Sequence, residues 1–252
     1  MKCVTIAALA AAFGAVAALA GPAGAVTVAQ FYAAPNSSIP DFLWEQDASG
    51  AGGTLTAVNE FGQPGAPVEF NFQTLAGMSN LPAVLTFTGV VTGTPATNYG
   101  GQFLAQYGLS GSFEFAYAGT TPLVYNGKTY TTGADLLSGT FSSANINGQV
   151  NASSGNVDDA TSSGDKLSLV SDVLSLAPGD RSYSLSLTSI SPKWNAGSGM
   201  SPGSFEALGT GSFEANLNPG PVPEPATWAM VIMGLAGMGG ILRRRNSSFV
   251  PA

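Results

Sequence analysis

The chain has 252 residues, of which 33 are glycine, 8 are basic, 15 are acidic and none is histidine. This low charge content, together with many Ser, Thr and Asn residues, is typical of an extracellular β-protein rather than a helical cytoplasmic one. Once Lys2, Glu224 and the three C-terminal arginines are set aside, 4 basic and 14 acidic residues leave the body with a net charge of −10, which excludes nucleic acid and anionic membranes as its partners.

The N-terminus has the three parts of a secretory signal peptide. Lys2 supplies the positive start, and Val4–Leu19 is an Ala-rich apolar run that is short for a permanent membrane anchor. An A-x-A cleavage site follows, with Ala23 and Ala25 as its two small residues. We therefore expect a mature chain that begins at Val26.

The body shows short segments in which apolar and polar residues alternate with period two, as in half-buried strands. Phe113, Phe115 and Tyr117 alternate with polar or small residues in this way, and so do Tyr183 and Leu185. Further strands are predicted at Thr54–Val58, Val68–Phe72, Val84–Val91, Leu136–Ser142, Ser204–Leu208 and Ser212–Leu217. About nine strands spaced by turn residues predict an all-β body, as a single β-sandwich or jelly roll. A β-solenoid is the competing fold, but the body shows no fixed long repeat.

Three local features complete the predicted elements. Ala177-Pro-Gly-Asp180 has turn chemistry, which predicts a hairpin between Leu167–Leu176 and the strand at Tyr183. The polar stretch Asn145–Lys166 reads as a loop with one weak strand. Gln102–Tyr107 is the one segment of the body where a turn or two of helix is expected.

Little in the sequence points to catalysis. The one cysteine, Cys3, precedes the apolar run and leaves with the signal peptide, so the mature chain forms no disulfide and depends on its core alone. Without histidine and cysteine, the body lacks the usual general base, thiolate nucleophile and zinc ligands. We therefore expect no enzymatic activity, no catalytic residue, no bound metal and no cofactor.

Two glutamates form the best carboxylate candidate, since the pentapeptide Gly-Ser-Phe-Glu-Ala occurs twice with Glu206 and Glu214 eight residues apart. In one continuous strand the two carboxylates would lie about 26 Å apart on the same face. In a hairpin around Gly209–Gly211 they would lie opposite each other. We interpret them as a solvated acidic face, with a carboxylate-dependent glycan hydrolase as the least favoured hypothesis.

Two binding hypotheses remain open for the body. Asp158, Asp159 and Asp165 offer oxygen ligands for calcium but lack the spacing of a calcium loop, which favours a solvated loop. Trp44 and Trp194 are candidate platforms for sugar rings, although packing in the core is the more usual place for tryptophan.

The C-terminus carries an apolar segment between an aromatic residue and a basic cluster. Ala226–Leu242 is 17 residues without charge, about 25 Å as a helix, which is just long enough to span a bilayer. Trp228 at one end and three arginines at the other suit the two membrane interfaces. Because arginines stay on the cytoplasmic side, the body is expected across the membrane.

This tail resembles the PEP-CTERM sorting signal in its Pro-Glu-Pro-x-x-Trp-Ala variety. Members of that family occur in Gram-negative bacteria that make exopolysaccharide, and an exosortase in the inner membrane is thought to cut their tails. The resemblance implies that the apolar helix is a transient anchor in the inner membrane and that exopolysaccharide is a further partner. The residues implied in sorting are Pro223, Glu224 and Pro225 for recognition, Trp228 at the interface, and Arg243, Arg244 and Arg245 for stop-transfer.

The predicted organisation is a signal peptide (1–25), the β-body (26–217), a Pro-rich linker (218–225), the transmembrane helix with its arginines (226–245) and a short tail (246–252). We expect an exported, non-enzymatic protein of the cell envelope or exopolysaccharide matrix, located in the periplasm, on the outer surface or in the matrix. The alternative is a carbohydrate-binding module or adhesin that uses exposed aromatic residues.

Overall fold

The computed structural model describes residues 25–34, 39–159, 167–196 and 201–218. The chain divides into two units, Met1–Leu217 and Asn218–Ala252, and all but the last described residue belong to the first. The described residues form strands, turns and loops without any helix. The strands are β1 (Val26–Ala33), β2 (Phe42–Gln46), β3 (Gly53–Ala57), β4 (Ala66–Phe72), β5 (Leu81–Val91), β6 (Thr97–Tyr99), β7 (Phe103–Tyr117), β8 (Leu123–Tyr125), β9 (Lys128–Tyr130), β10 (Asp135–Gln149), β11 (Ser154–Asp159), β12 (Leu167–Val170), β13 (Leu176–Ser191) and β14 (Phe205–Leu217).

Twelve of these strands belong to one antiparallel sheet. Eight of them pair in a closed cycle, in the order β5, β7, β10, β11, β13, β14, β1, β4 and back to β5. β2 and β3 join β14 to β5 alongside β1 and β4. β6 adds to one end of β7, β12 pairs with β10, and β8 and β9 form a separate hairpin. The closed cycle leaves few long strand edges unpaired.

Aromatic rings fill the interior of this closed sheet. β7 and β14 lie four pairings apart in either direction around the cycle, yet the rings of Phe113 and Phe213 lie only 4.8 Å apart between centroids. Phe115 of β7 similarly meets Phe31 of β1 at 5.0 Å. The all-β class predicted from the sequence is confirmed. In place of two separate sheets, one continuous sheet brings its two sides together through side chains, as the layers of a sandwich do.

β14 shows why the predicted elements differ from the observed ones. Ser204–Leu208 and Ser212–Leu217 were predicted as two strands, but one strand runs through both. Gly209 and Gly211 lie between them on the inward face, where a β-carbon would fall 2.2 Å from the Phe42 ring and 2.5 Å from the Phe31 ring. These glycines therefore make room for aromatic rings against the backbone rather than forming a turn.

The hairpin predicted through Ala177–Asp180 is wrong. β12 pairs with β10 instead, and Ala177–Asp180 lie within β13. The six residues of β13 from Leu176 to Arg181 lie opposite only the three residues of β14 from Leu217 to Ala215, so the turn-forming residues make a bulge. A bulge accommodates a proline that would otherwise interrupt the hydrogen-bonded ladder.

Two further segments form more strand than the sequence predicted. The helical turns expected at Gln102–Tyr107 are wrong, because all of this segment except Gln102 lies in β7. Asn145–Lys166, interpreted as a loop with one weak strand, contains the end of β10 and all of β11. Ile146 and Val157 pair across these strands and are fully buried. Val157 is therefore the one large apolar residue through which β11 packs against the core.

The phenyl ring of Phe115 is fully buried and lies within 6.0 Å of four other rings, so we predict that Phe115→Ala is strongly destabilising. The expected loss is about 3 to 5 kcal/mol of unfolding free energy, measured by chemical denaturation. Phe61→Ala is the matched control, because Phe61 is 78% exposed and its removal is expected to cost less than about 0.5 kcal/mol. Equal effects of the two substitutions would contradict this description of the core.

One carboxyl is buried where β14 meets the segment before β2. Asp41 is 2% exposed, and its backbone N–H donates to the Ala207 carbonyl at 2.9 Å. Its side chain accepts a long bond of 3.5 Å from the Gly209 N–H. Burial raises the pKa of Asp41 to about 6, and the Gly209 hydrogen bond offsets this only in part. The folded protein therefore holds this proton more tightly than the unfolded chain does.

Because the folded-state pKa of Asp41 lies above the unfolded value of about 3.9, its contribution to stability is fully present below pH 4 and is lost as the pH rises through 6. We predict that Asp41→Asn removes this loss. The unfolding free energy of the variant relative to wild type should rise by on the order of 2 kcal/mol between pH 4 and 6.5 in denaturant titrations. A difference that stays constant over this range would contradict the burial of an ionisable carboxyl here.

Candidate functional site

The residues predicted for sorting and processing fall mostly outside the described residues. Pro223, Glu224, Pro225, Trp228 and Arg243–Arg245 lie there, as do the predicted transmembrane helix and Ala23. Ala25 is described and directly precedes β1. No helix in the described ranges is long and apolar enough to cross a membrane. The roles of these residues stay predictions from the sequence.

The tryptophans do not form an exposed sugar platform. Trp44 is 0% and Trp194 is 1% exposed, so the hypothesis that either stacks on carbohydrate is wrong. The Trp44 indole N–H donates to the buried Pro202 carbonyl at 2.9 Å. Trp194 lies over the paired glycines Gly148 and Gly155, where a β-carbon on Gly148 would come within 2.9 Å of the ring. Both rings are therefore part of the core.

Glu206 and Glu214 both lie on the exposed face of β14, while their neighbours Phe205 and Phe213 are buried. Of the two arrangements left open by the sequence, the continuous strand is confirmed and the hairpin is wrong. Eight residues of strand separate the carboxylates by about 26 Å, too far for them to flank one glycosidic bond. Glu214 instead accepts a hydrogen bond from the Ser182 hydroxyl at 2.9 Å.

The acidic residues proposed for calcium do not all fall within the structure. Asp158 lies in β11, where its carboxylate accepts a hydrogen bond from the Asn147 amide at 3.3 Å. Asp165 lies outside the described residues. Within the part of the chain that is described, no three His, Cys, Asp or Glu side chains group together as metal ligands would. Calcium binding that involves Asp165 therefore stays the less favoured hypothesis from the sequence, and the solvated loop stays the prediction.

Exposed aromatic residues occur instead at the end of β7, where a hairpin adds β6 to the sheet. Gly100 and Gly101 adopt positive φ angles of 64° and 75°, which only glycine takes up readily, and the Gly101 N–H donates to the Asn98 side chain at 2.7 Å. This turn places Tyr99 opposite Phe103. Tyr99, Phe103 and Tyr107, which we term the aromatic patch, are 52%, 40% and 39% exposed.

The side chains of the aromatic patch are held together. The rings of Tyr99 and Phe103 lie 6.2 Å apart, and the hydroxyls of Tyr99 and Tyr107 form a 2.9 Å hydrogen bond. Phe103 is the residue of β7 that lies opposite Tyr99, and Tyr107 lies four residues further along the strand, a distance of about 13 Å. The two hydroxyls meet over that span only if both side chains lie along the sheet and point towards each other. Ala105 between them is 3% exposed, which agrees with rings that cover the strand.

Amide side chains run beside the aromatic patch on the adjacent strand. In the pairing of β7 with β10, Tyr107 lies opposite Asn145, and Phe103 lies opposite Gln149. Asn147 lies between these two positions, and all three amides are partly or fully exposed. We term Asn145, Asn147 and Gln149 the amide row. Each amide offers both donors and acceptors, so the row complements ligands that carry hydroxyl groups.

Further along the same two strands lies an open groove of about 460 Å³, which we term the hydroxyl groove. Its polar lining is formed by Thr86, Ser112, Ser138, Thr140 and Ser168 with Glu114 and Asp135. Asp135 accepts a hydrogen bond from the Ser138 hydroxyl at 2.6 Å, while its other carboxylate oxygen is buried without a partner. Burial raises the pKa of Asp135, and the charges of Glu114 and Asp172 add to this effect. No residue of the groove was singled out from the sequence.

The last strand, β14, ends at Leu217, and the residues that follow carry the predicted sorting signal. In a comparison with protein families, residues 221–246 match the model of the PEP-CTERM protein-sorting motif. The chain therefore carries a sorting motif of the kind that exosortases recognise, with a transient anchor in the membrane. Neither the curated proteins nor the solved structures yielded a match.

The hydrogen bond between the Tyr107 and Tyr99 hydroxyls raises the pKa of Tyr107 above its ordinary value. We predict that Tyr99→Phe lowers the Tyr107 pKa, because the partner hydroxyl is lost while the ring stays. The measurement is an NMR titration of the protein with ring-labelled tyrosine. Tyr32→Phe is the control, because that hydroxyl bonds to Gln30 instead. An unchanged Tyr107 pKa in the Tyr99 variant would contradict the geometry of the patch.

Proposed function

We propose that this chain is a non-enzymatic component of the cell envelope or exopolysaccharide matrix, released from a transient inner-membrane anchor by an exosortase. The observation that carries this proposal is the PEP-CTERM sorting motif at residues 221–246. A chain that enters the export pathway at one end and is processed at the other delivers its body outside the cytoplasm. The body, residues 26–217, is then the functional part of the product.

The non-enzymatic part of the proposal is supported by the side chains of the body. The sequence has no histidine, and its one cysteine precedes the body. The carboxylates of Glu206 and Glu214 lie about 26 Å apart along one strand, so they do not form a catalytic pair. This leaves the best carboxylate candidate in the sequence without a catalytic arrangement.

The construction of the body supports a role in a matrix. Its core is built without a disulfide, and its long strands close into a cycle, which limits aggregation through free edges. The net charge of −10 keeps such a protein soluble outside the cell. The outer faces of its strands are rich in hydroxyl and amide side chains, which suits contact with hydrated polysaccharide.

The sequence around the motif supports recognition by a processing enzyme. Because a proline disfavours helical backbone in the residue before it, the sequence predicts an extended form at Val222 and Glu224, which is the form that peptide-processing enzymes bind. Glu224 is the one charged residue between Leu217 and the arginines, so it offers a distinct recognition point. Arg243–Arg245 then hold the segment at the cytoplasmic face.

We predict that Glu224→Ala, or alanine at both Pro223 and Pro225, leaves the protein as an uncut precursor in the inner membrane. The recognition element is lost in these variants, while the apolar segment and the arginines remain. Cell fractionation and immunoblotting of the native host measure the amount in each compartment. A loss of at least roughly tenfold in the extracellular fraction is expected, because about 1.4 kcal/mol of lost recognition free energy already weakens binding to the enzyme tenfold.

Glu206→Ala is the matched control, because it removes the same charge from an exposed position of the body. This variant should be processed and exported at the wild-type level. Normal release of the Glu224 and proline variants would contradict the proposed processing.

A further inference from the structure

We propose that the aromatic patch and the amide row form a binding surface for an uncharged polysaccharide. This inference rests on the proposed function, because a protein delivered to the matrix meets polysaccharide there. It replaces the buried tryptophans as the place where a sugar chain would bind. The observation behind it is the juxtaposition of three exposed rings with three amides on adjacent strands.

The rings supply the apolar part of the surface. Large aromatic residues bury most of their area in soluble proteins, so three exposed rings in one place indicate an interaction site. The negative face of an aromatic ring attracts the weakly positive C–H groups that cover one side of a sugar ring. The Tyr99–Tyr107 hydrogen bond holds two of these side chains along the sheet in advance, so little conformational entropy is lost on binding.

The amides supply the polar part. Asn145 lies opposite Tyr107, and Gln149 lies opposite Phe103, so each exposed ring of β7 has an amide beside it. Asn147 is oriented by its hydrogen bond to Asp158, which leaves its carbonyl oxygen available as an acceptor. Sugar hydroxyls both donate and accept hydrogen bonds, which matches the mixed capacity of amides.

The charge of the protein favours an uncharged polysaccharide over a charged one. Neither the aromatic patch nor the amide row contains a Lys or Arg side chain, and the charged group that bonds to the amide row is the carboxylate of Asp158. The body as a whole carries a net charge of −10. An anionic polysaccharide or a nucleic acid would therefore meet repulsion without a compensating contact. An uncharged sugar chain meets none.

The length of the surface favours a polymer over a single sugar. β7 and β10 pair along their whole length, from Phe103 opposite Gln149 to Ala116 opposite Asp135. Their outer face continues from the aromatic patch past Ser110 to the hydroxyl groove, which includes Ser112 and Glu114. The distance from Phe103 to Glu114 is about 37 Å along the strand. Successive sugar units of an extended chain would therefore find polar partners along it.

The test is affinity electrophoresis of the full chain, purified in a neutral detergent, through gels that contain hydroxyethyl cellulose, dextran or galactomannan. Alginate serves as the anionic comparison. We expect at least one neutral polymer to retard the wild-type protein. The Tyr99→Ala, Phe103→Ala double variant should bind that polymer roughly tenfold more weakly, since it loses two of the three rings. Phe61→Ala, which removes a more exposed ring elsewhere, should behave as wild type.

Retention of wild-type binding by the double variant would overturn the proposal, as would the absence of retardation by all three neutral polymers. Stronger retardation by alginate would overturn the assignment of an uncharged ligand. If the substitutions change only self-association, measured by sedimentation, the patch is instead a contact between copies of the chain. Unchanged thermal unfolding of the double variant establishes that it is folded.

Fractionation separates this inference from the proposed function. A double variant that is exported and processed normally but no longer binds polysaccharide supports both. Failure of the wild-type protein to bind any neutral polysaccharide, although it still reaches the matrix, would contradict the binding surface alone. Normal export of the Glu224 variant would contradict the proposed processing and leave the binding measurement unaffected.

Discussion

Contact between phenylalanine rings from opposite sides of the closed sheet is the interaction on which the rest of this structure depends. Phe113 and Phe115 of β7 meet Phe213 of β14 at 4.8 and 5.6 Å, although the two strands are not neighbours in the sheet. No disulfide assists them, since the one cysteine precedes the body. Because side chains alternate along a strand, fixing these rings inside also fixes which residues face outwards. The exposed position of Glu214 follows from that parity. Tyr107 is exposed because β7 bulges at Gly108, where the register against β10 shifts, and the residues before the bulge face the opposite way.

The sequence predicted the all-β class and the inward rows of β7 and β14 because their apolar residues alternate without ambiguity. It misplaced boundaries where glycine has a packing role. Gly209 and Gly211 read as turn residues, yet they lie under aromatic rings inside a strand. Such close approach depends on residues distant in sequence, Phe42 and Phe31, so no local pattern reveals it. The sorting motif was fully readable because its signal is local and contiguous.

The candidate binding surface was missed for a different reason. Phe103 and Tyr107 are four residues apart, and this spacing places two residues on one face in a helix as well as in a strand. The sequence pattern therefore predicted helical turns in this segment, and the tryptophans were the residues predicted to contact sugar. Trp194 is instead enclosed over Gly148 and Gly155, which face each other on β10 and β11. Only the hairpin that brings Tyr99 next to Phe103 reveals the patch.

The body and the tail thus have different roles. The tail carries the sorting signal, and the body is the part that makes contacts outside the cytoplasm. The central claim is that the exported product is this body without its tail. Intact-mass spectrometry of the protein recovered outside the cells tests it most directly. We predict an N-terminus at Val26 and a C-terminus that lacks Arg243–Arg245. Extracellular protein that retains the arginines would contradict the claim.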